Sequence, residues 1–401
     1  MGLPSGEPVH ARHRHGPHRH HDPREAARGL VRSLGLRLGL IPPFPGAGRA
    51  LLRCLVLCAA LVAPAAAETL RVAVWNVELT RDGPGLLLRD IGRDDPQVAA
   101  AVAGIAALDA DILLLTGVDW DLDLRALNAL ADRAAAAGKR YPLRLALRPN
   151  RGVQTGLDLD GDGRIGGPGD AQGWGRFAGE GGMALLSTLP LAAEPTDLSA
   201  FLWRDLPGAR LPPEWTPEAA ALQRLSTTGH WIVPLQTSAG RLSLLAFHAT
   251  PPVFDGPEDR NGNRNHDETA LWLRLLDGAL PVAAPEPPFV LLGTANLDPA
   301  DGEGQREAIA VLLADPRLQD LAPKGLHDRP QDSGQTGDPA LDTALFEGLG
   351  ALRTELLLPS AGLAVTASGV LWPPDSDPLA ATLAAASRHR PVWADLALPP
   401  P

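Results

Sequence analysis

The chain has 401 residues, 45% of them hydrophobic, with 42 Gly, 40 Pro, 2 Cys and a formal net charge of −11. That is enough for one large domain with a substantial core. The absence of a G-X-Y period, of a sustained heptad and of any apolar run near 18 residues excludes collagen-like, coiled-coil and polytopic membrane chains.

Residues 1–67 differ in character from the rest. Met1 to His21 carries six histidines among Arg and Gly with no apolar periodicity, which reads as a disordered leader. Arg49 and Arg53 then precede the apolar run Cys54–Ala63 and an A-x-A ending at Ala67. These are the parts of a secretory signal, and the run is too short to span a bilayer after processing. The reading is a cleaved leader at 1–67 and a secreted or periplasmic domain at 68–401. Both cysteines lie in the leader, so the mature chain carries no thiol, disulfide or Cys-ligated metal. The leader holds nine Arg and three acids, so its removal takes the net charge from −11 to −17. Such an acidic surface disfavours nonspecific nucleic-acid binding.

In the mature chain, Thr69–Asn76 reads as a buried strand. Asp95-Pro96 opens a helix, with Asp as N-cap, Pro at N1 and Val98, Val102, Ile105 and Leu108 on one face. Asp111–Gly117 is a second strand, and Leu124–Ala137 a helix stopped by Gly138. Residues 148–182 contain 14 Gly or Pro and form a long loop. Further strands are expected at 182–187, 231–235, 242–248, 289–293, 355–358 and 392–396, and helices at 267–280 and 304–314. Strands and helices mix without strict βαβ alternation, which indicates α+β layering in one domain.

Five segments in this order carry a resemblance: Val74-Trp75-Asn76; Asp111–Asp119 (DILLLTGVD); Gly182–Ser187 (GMALLS); His248 ending a strand; and Gly293-Thr294-Ala295-Asn296 followed by Ser387-Arg388-His389. Together they resemble the endonuclease/exonuclease/phosphatase superfamily, in an exported bacterial branch. The resemblance implies the DNase-I-like fold, a four-layer α+β sandwich of two mixed sheets flanked by helices with the site at the sheet tops. It also implies phosphodiester or phosphomonoester hydrolysis with Mg²⁺ or Mn²⁺ held by carboxylates.

The family's three carboxylates are missing here. Gly117 stands at the Glu of Q-E-V-D, Thr294 at the Asp of Gly-Asp-x-Asn, and Arg388 at the Asp of Ser-Asp-His. The resemblance carries Asn76, His248, Asn296 and His389 over as site residues, with Glu355 at the position that orients the terminal His. Arg388 adds a permanent positive charge. The expectation is an inactive or anion-binding protein that takes a phosphate-containing small molecule or other anion. An active metallo-phosphodiesterase or phosphatase with ligands relocated to Glu78, Asp119 or Asp298 is the alternative, and a structural or interaction module a third. A two-residue offset along a strand is about 6–7 Å, too far for a metal bond of about 2.1 Å without backbone movement.

Asp158-Leu159-Asp160-Gly161-Asp162-Gly163 fits D-x-D-x-D-G, the first half of a calcium loop, without the closing Glu at position 12. Asp259, Asn261, Asn263 and Asn265 form a similar polar run; a solvated acidic turn at 158–163 is one reading, and a Ca²⁺ held by Asp158, Asp160 and Asp162 and shared between the two insertions is the other.

Overall fold

The computed structural model describes residues 68–398; the leader and signal segments lie outside them. In chain order the elements are β1 (Thr69–Leu79), α1 (Leu86–Ile91), α2 (Pro96–Leu108), β2 (Ile112–Val118), α3 (Arg125–Ala136), β3 (Leu143–Leu145), β4 (Gly182–Ser187), β5 (Thr196–Asp197), α4 (Pro217–Leu222), β6 (Gly229–Thr237) and β7 (Gly240–His248). They continue with α5 (Arg260–Leu276), β8 (Phe289–Thr294), α6 (Glu307–Leu313), β9 (Ala344–Phe346), β10 (Gly350–Leu352), β11 (Glu355–Pro359), β12 (Ala364–Val370), α7 (Pro378–Ala386) and β13 (Val392–Ala397).

One sheet has the order β12-β13-β1-β2-β4-β3, the other β11-β8-β7-β6-β5, and β9-β10 is a separate hairpin. Each large sheet is mixed, because β1 pairs parallel to β2 and β7 parallel to β8 among otherwise antiparallel neighbours. The period-2 alternation of a strand divides β1 between two cores. Val72 and Val74 join Ile112, Val233, Leu244 and Leu357 in the seam between the sheets. Ala73, Trp75 and Val77 face outward against α2, α3 and α7. The outer face of the second sheet is covered by α5 and α6 through Leu271, Trp272 and Ile309. This is the expected four-layer α+β sandwich.

Local chemistry explains the element ends. The Asp95 carboxylate accepts from Val98 N and caps α2, and Gly104 lets that helix close on Trp75, where a Cβ would lie 2.7 Å from the indole. Three expectations need correction. The helix expected at 267–280 begins at Arg260 and ends at Leu276, because polar side chains in its first turns are buried through hydrogen bonds and not through an apolar stripe. The helix expected at 304–314 is only Glu307–Leu313. Finally, α7 was not anticipated, although Asp377-Pro378 repeats the Asp-Pro opening of α2 and the Asp377 carboxylate caps Leu379 N.

Among the described residues no helix is long and apolar enough to cross a membrane.

Candidate active site

Strand register brings the site together. His248, Thr294 and Glu355 occupy one row across the ends of β7, β8 and β11. In the other sheet Asn76 is in register with Thr116. The 387–389 segment after α7 is sewn to the end of β1. Ser387 Oγ donates to Asn76 O at 2.7 Å, His389 N donates to Ser387 Oγ at 3.0 Å, and Trp75 Nε1 donates to His389 O at 3.1 Å. Between these strand ends lies a cavity of about 680 Å³, lined by Asn76, Gly117, Arg151, His248, Asn296, Arg388 and His389 among others.

The hydrogen bonds fix the protonation of His389. Its Nδ1 is 2.6 Å from Glu355 Oε1, and its Nε2 is 3.4 Å from Asn76 Nδ2. A carboxylate only accepts, so Nδ1 carries the proton that goes to Glu355. Glu355 is buried and its oxygens are spent: Oε1 on His389 and, at 3.5 Å, Thr294 Oγ1, and Oε2 on Thr354 Oγ1 at 2.9 Å.

His248 is buried and its Nδ1 has no partner. Burial first, then the neighbouring charges of Arg151 and His389, push its pKa down to about 3, so the ring is neutral at physiological pH. Arg151 lies 4.0 Å from Glu180, and its Nε is unpartnered. Burial lowers its pKa against the pull of Glu180 and Asp119, and the guanidinium stays charged. Asn296, in the left-handed region at φ 52°, donates from Nδ2 to Ala249 O at 2.8 Å.

The three substituted positions are built for what occupies them. Gly117 sits in a β-bulge at φ +69°, where a Cβ would lie 2.6 Å from Asn76 Oδ1; an L side chain there meets both backbone strain and a clash. Thr294 is fully buried and shares a 2.8 Å hydrogen bond with Thr116 Oγ1 across the seam. Arg388 approaches Glu78 Oε1 with Nε at 2.8 Å and Nη2 at 2.5 Å, while its backbone N donates to Oε2 at 2.7 Å. Burial raises the Glu78 pKa, but the Arg388 bonds and the nearby His389 outweigh it and hold the carboxyl below its usual range.

A hard divalent cation needs several anionic oxygens within about 2.1–2.6 Å, and most carboxylates at or near this cavity already have partners in the protein. Glu355 is saturated and Glu78 is ion-paired. Asp298 accepts from the backbone N of Ala300, Asp301 and Arg353 at 2.6–2.7 Å. Asp119 accepts from Arg81 N and Gly181 N, both at 2.9 Å, and is not a lining residue.

The carboxylate oxygens of Asp158, Asp160 and Asp162 do converge, within 4.8 Å of one another, and all three residues are exposed. Each already accepts a local amide: Asp158 from Gly161 N and Gly163 N, Asp160 from Asp162 N, and Asp162 from Arg164 N. The expected ion-sharing partner run is not a loop but the start of α5. Asn265 is buried and donates to Thr250 O and Ala295 O at 2.6 and 2.7 Å, and Asp259 accepts from Gln305 Nε2.

Arg151 escaped sequence reasoning because it lies in the Gly/Pro-rich stretch, where neither periodicity nor spacing singles out a side chain. Its only local signal is the Asn-Arg-Gly turn at 150–152.

A two-sheet sandwich with Asn, His and a His–Glu pair at the strand ends defines a phosphoesterase-type architecture. The Endonuclease/Exonuclease/phosphatase family model matches residues 73–389, and the chain belongs to that family. Among solved structures, an endonuclease/exonuclease/phosphatase from Beutenbergia cavernae is similar at 18% identity and TM-score 0.50, covering 82% of this chain and 72% of its own. A mannosyl-6-phosphatase from Bacteroides thetaiotaomicron is 13% identical, with TM-score 0.45 and coverage of 82% and 100%. The human Nocturnin catalytic domain is 14% identical, with TM-score 0.44 and coverage of 82% and 94%. No curated protein matches the sequence.

Proposed function

We propose that this chain is a family member whose metal centre has lost its carboxylates and whose cavity binds a phosphate-bearing small molecule or other anion without hydrolysing it. The reading is carried by the state of Glu355: the one carboxylate in the strand-end row already accepts from His389, Thr294 and Thr354. Gly117 and Thr294 supply no charge in its place. With the strand-end row so short of free anionic oxygens, a divalent ion lacks the seat that would make it a Lewis acid on the phosphate.

Binding of an anion needs donors, and these remain. Arg151 and His248 both line the cavity, and Arg151 Nε and His248 Nδ1 are buried without a partner in the protein. A buried polar atom without a partner is costly, and a ligand oxygen would satisfy it. Charge-assisted bonds from a guanidinium are the stronger kind. The acidic mature chain points to a small anion and not to a nucleic-acid backbone. We place the domain outside the cytoplasm on the strength of the signal-like segment before residue 68, which N-terminal sequencing of the processed protein checks.

The test is the full chain with generic phosphodiester and phosphomonoester substrates plus Mg²⁺ or Mn²⁺, alongside calorimetric titration with inorganic phosphate. No turnover together with phosphate binding is the expected result. Turnover that disappears in Asn296→Ala or His389→Ala would establish a working enzyme and overturn the reading.

A further inference from the structure

The polar floor of the cavity does not explain its mouth. Two segments outside both large sheets form that mouth: Pro251–Phe254, which follows β7, and the β9/β10 hairpin. Phe254 is 89% exposed and Leu349, in the hairpin turn, is 58% exposed, yet both line the cavity. Phe254 also holds φ at +72°, a left-handed conformation that bulky L residues avoid. Core burial gives no return for it, since the ring lies in water. Strained, exposed aromatic side chains of this kind point to function.

The apolar wall continues downward. Phe346 stands edge-on to the His389 ring at 5.5 Å, and the Arg388 guanidinium lies 5.4 Å from its centroid. The hairpin is tied to the floor, with Leu345 N donating to Arg388 O at 3.0 Å and Ala344 bridging to His389. One cavity is therefore lined both by the polar groups Arg151, His248 and His389 and by the apolar Phe346, Phe254 and Leu349.

We infer that the cavity takes a soluble phosphate ester of an aliphatic alcohol, with the phosphate on the Arg151–His248–His389 floor and the alkyl chain along Phe346, leaving between Phe254 and Leu349. This rests on the anion-binding reading and specifies its ligand. Glu303, also at the wall, opposes a second phosphate, and Asp301 spends its carboxylate on Thr336 N and Gly337 N. The same acids oppose docking onto an anionic bilayer.

The experiment titrates the full chain with inorganic phosphate, ethyl phosphate and hexyl phosphate. Hexyl phosphate should bind roughly tenfold or more tighter than ethyl phosphate, since each buried methylene adds affinity. The double variant Phe254→Ser/Leu349→Ser should lose most of that gain while keeping inorganic phosphate within about twofold, because both side chains are exposed and neither touches the floor. Phosphate binding with no chain-length effect, or a gain that persists in the double variant, overturns this inference alone. No binding of any phosphate overturns the anion reading beneath it. Flotation with phosphatidic-acid vesicles that the double variant abolishes would overturn the soluble-ester assignment.

Discussion

Glu78 is an internal anion seated on Arg388, a second guanidinium lining the cavity in which phosphate is proposed to bind. Its Oε1 takes two bonds from Arg388, and its Oε2 takes the Arg388 backbone N and, at 3.0 Å, Ser387 Oγ. Glu78→Gln keeps an oxygen for the backbone amide and removes the charge. The Arg388 side chain is 62% exposed and that of Glu78 is 20% exposed, so solvent screening keeps the pair near the weak end of the scale. Releasing Arg388 and deleting a like charge beside the ligand should then strengthen phosphate binding by about 1–1.5 kcal/mol, roughly five- to tenfold in Kd. Calorimetry at low and at physiological ionic strength measures it, and the gain should shrink as salt rises. A Kd that is unchanged or weaker in Glu78→Gln would refute the idea that this carboxylate competes with the ligand.

Arg151→Gln should weaken phosphate binding by about tenfold or more, the worth of a charge-assisted hydrogen bond, read by the same titration. Gly117→Ala should destabilise the fold by about 1–2 kcal/mol or more, because φ +69° and the 2.6 Å approach to Asn76 Oδ1 oppose any Cβ; an unchanged melting temperature would contradict this. Glu268 is buried and accepts from Thr227 N at 2.5 Å and Thr250 N at 2.6 Å, so Glu268→Gln turns one amide clasp into a donor–donor contact and should cost about 1–3 kcal/mol in urea unfolding. Burial pushes the Glu268 pKa up to about 7, against the Arg264 charge and the two amide bonds. The folded value lies above the unfolded one, so its contribution is full below about pH 4.5 and falls as pH rises toward 7; urea midpoints across that window should show the decline, and Glu268→Gln should flatten it.

The α+β layering was readable in the sequence because the strands are apolar runs and α2 carries a complete N-terminal signature, while the two-sheet sandwich came from the family resemblance. The rest was hidden for physical reasons. α7 is built of Ala and Leu with little amphipathic contrast, and the opening of α5 buries Arg264 and Asn265 by bonding loop carbonyls, which no hydrophobic pattern records. The family resemblance, not any local pattern, singled out Asn76, His248, Asn296, Glu355 and His389, which the fold gathers around one cavity. The Glu78–Arg388 pair was not legible, since a period-2 reading sets Glu78 on the Asn76 face, whereas the bulge at φ 50° turns it toward the 387–389 segment. The mouth of the cavity was equally silent, because β9 and β10 are three residues each and Phe254 lies in an irregular stretch.

The hydroxyl pair Thr116–Thr294 has a mechanical meaning for the sandwich. Two acids facing each other at that depth would repel until a counterion sat between them, and the halves of the molecule would separate when it left. Two alcohols instead share one proton and hold the layers shut with nothing added. Strand ends joined this way make their contact across the seam with no ion between them.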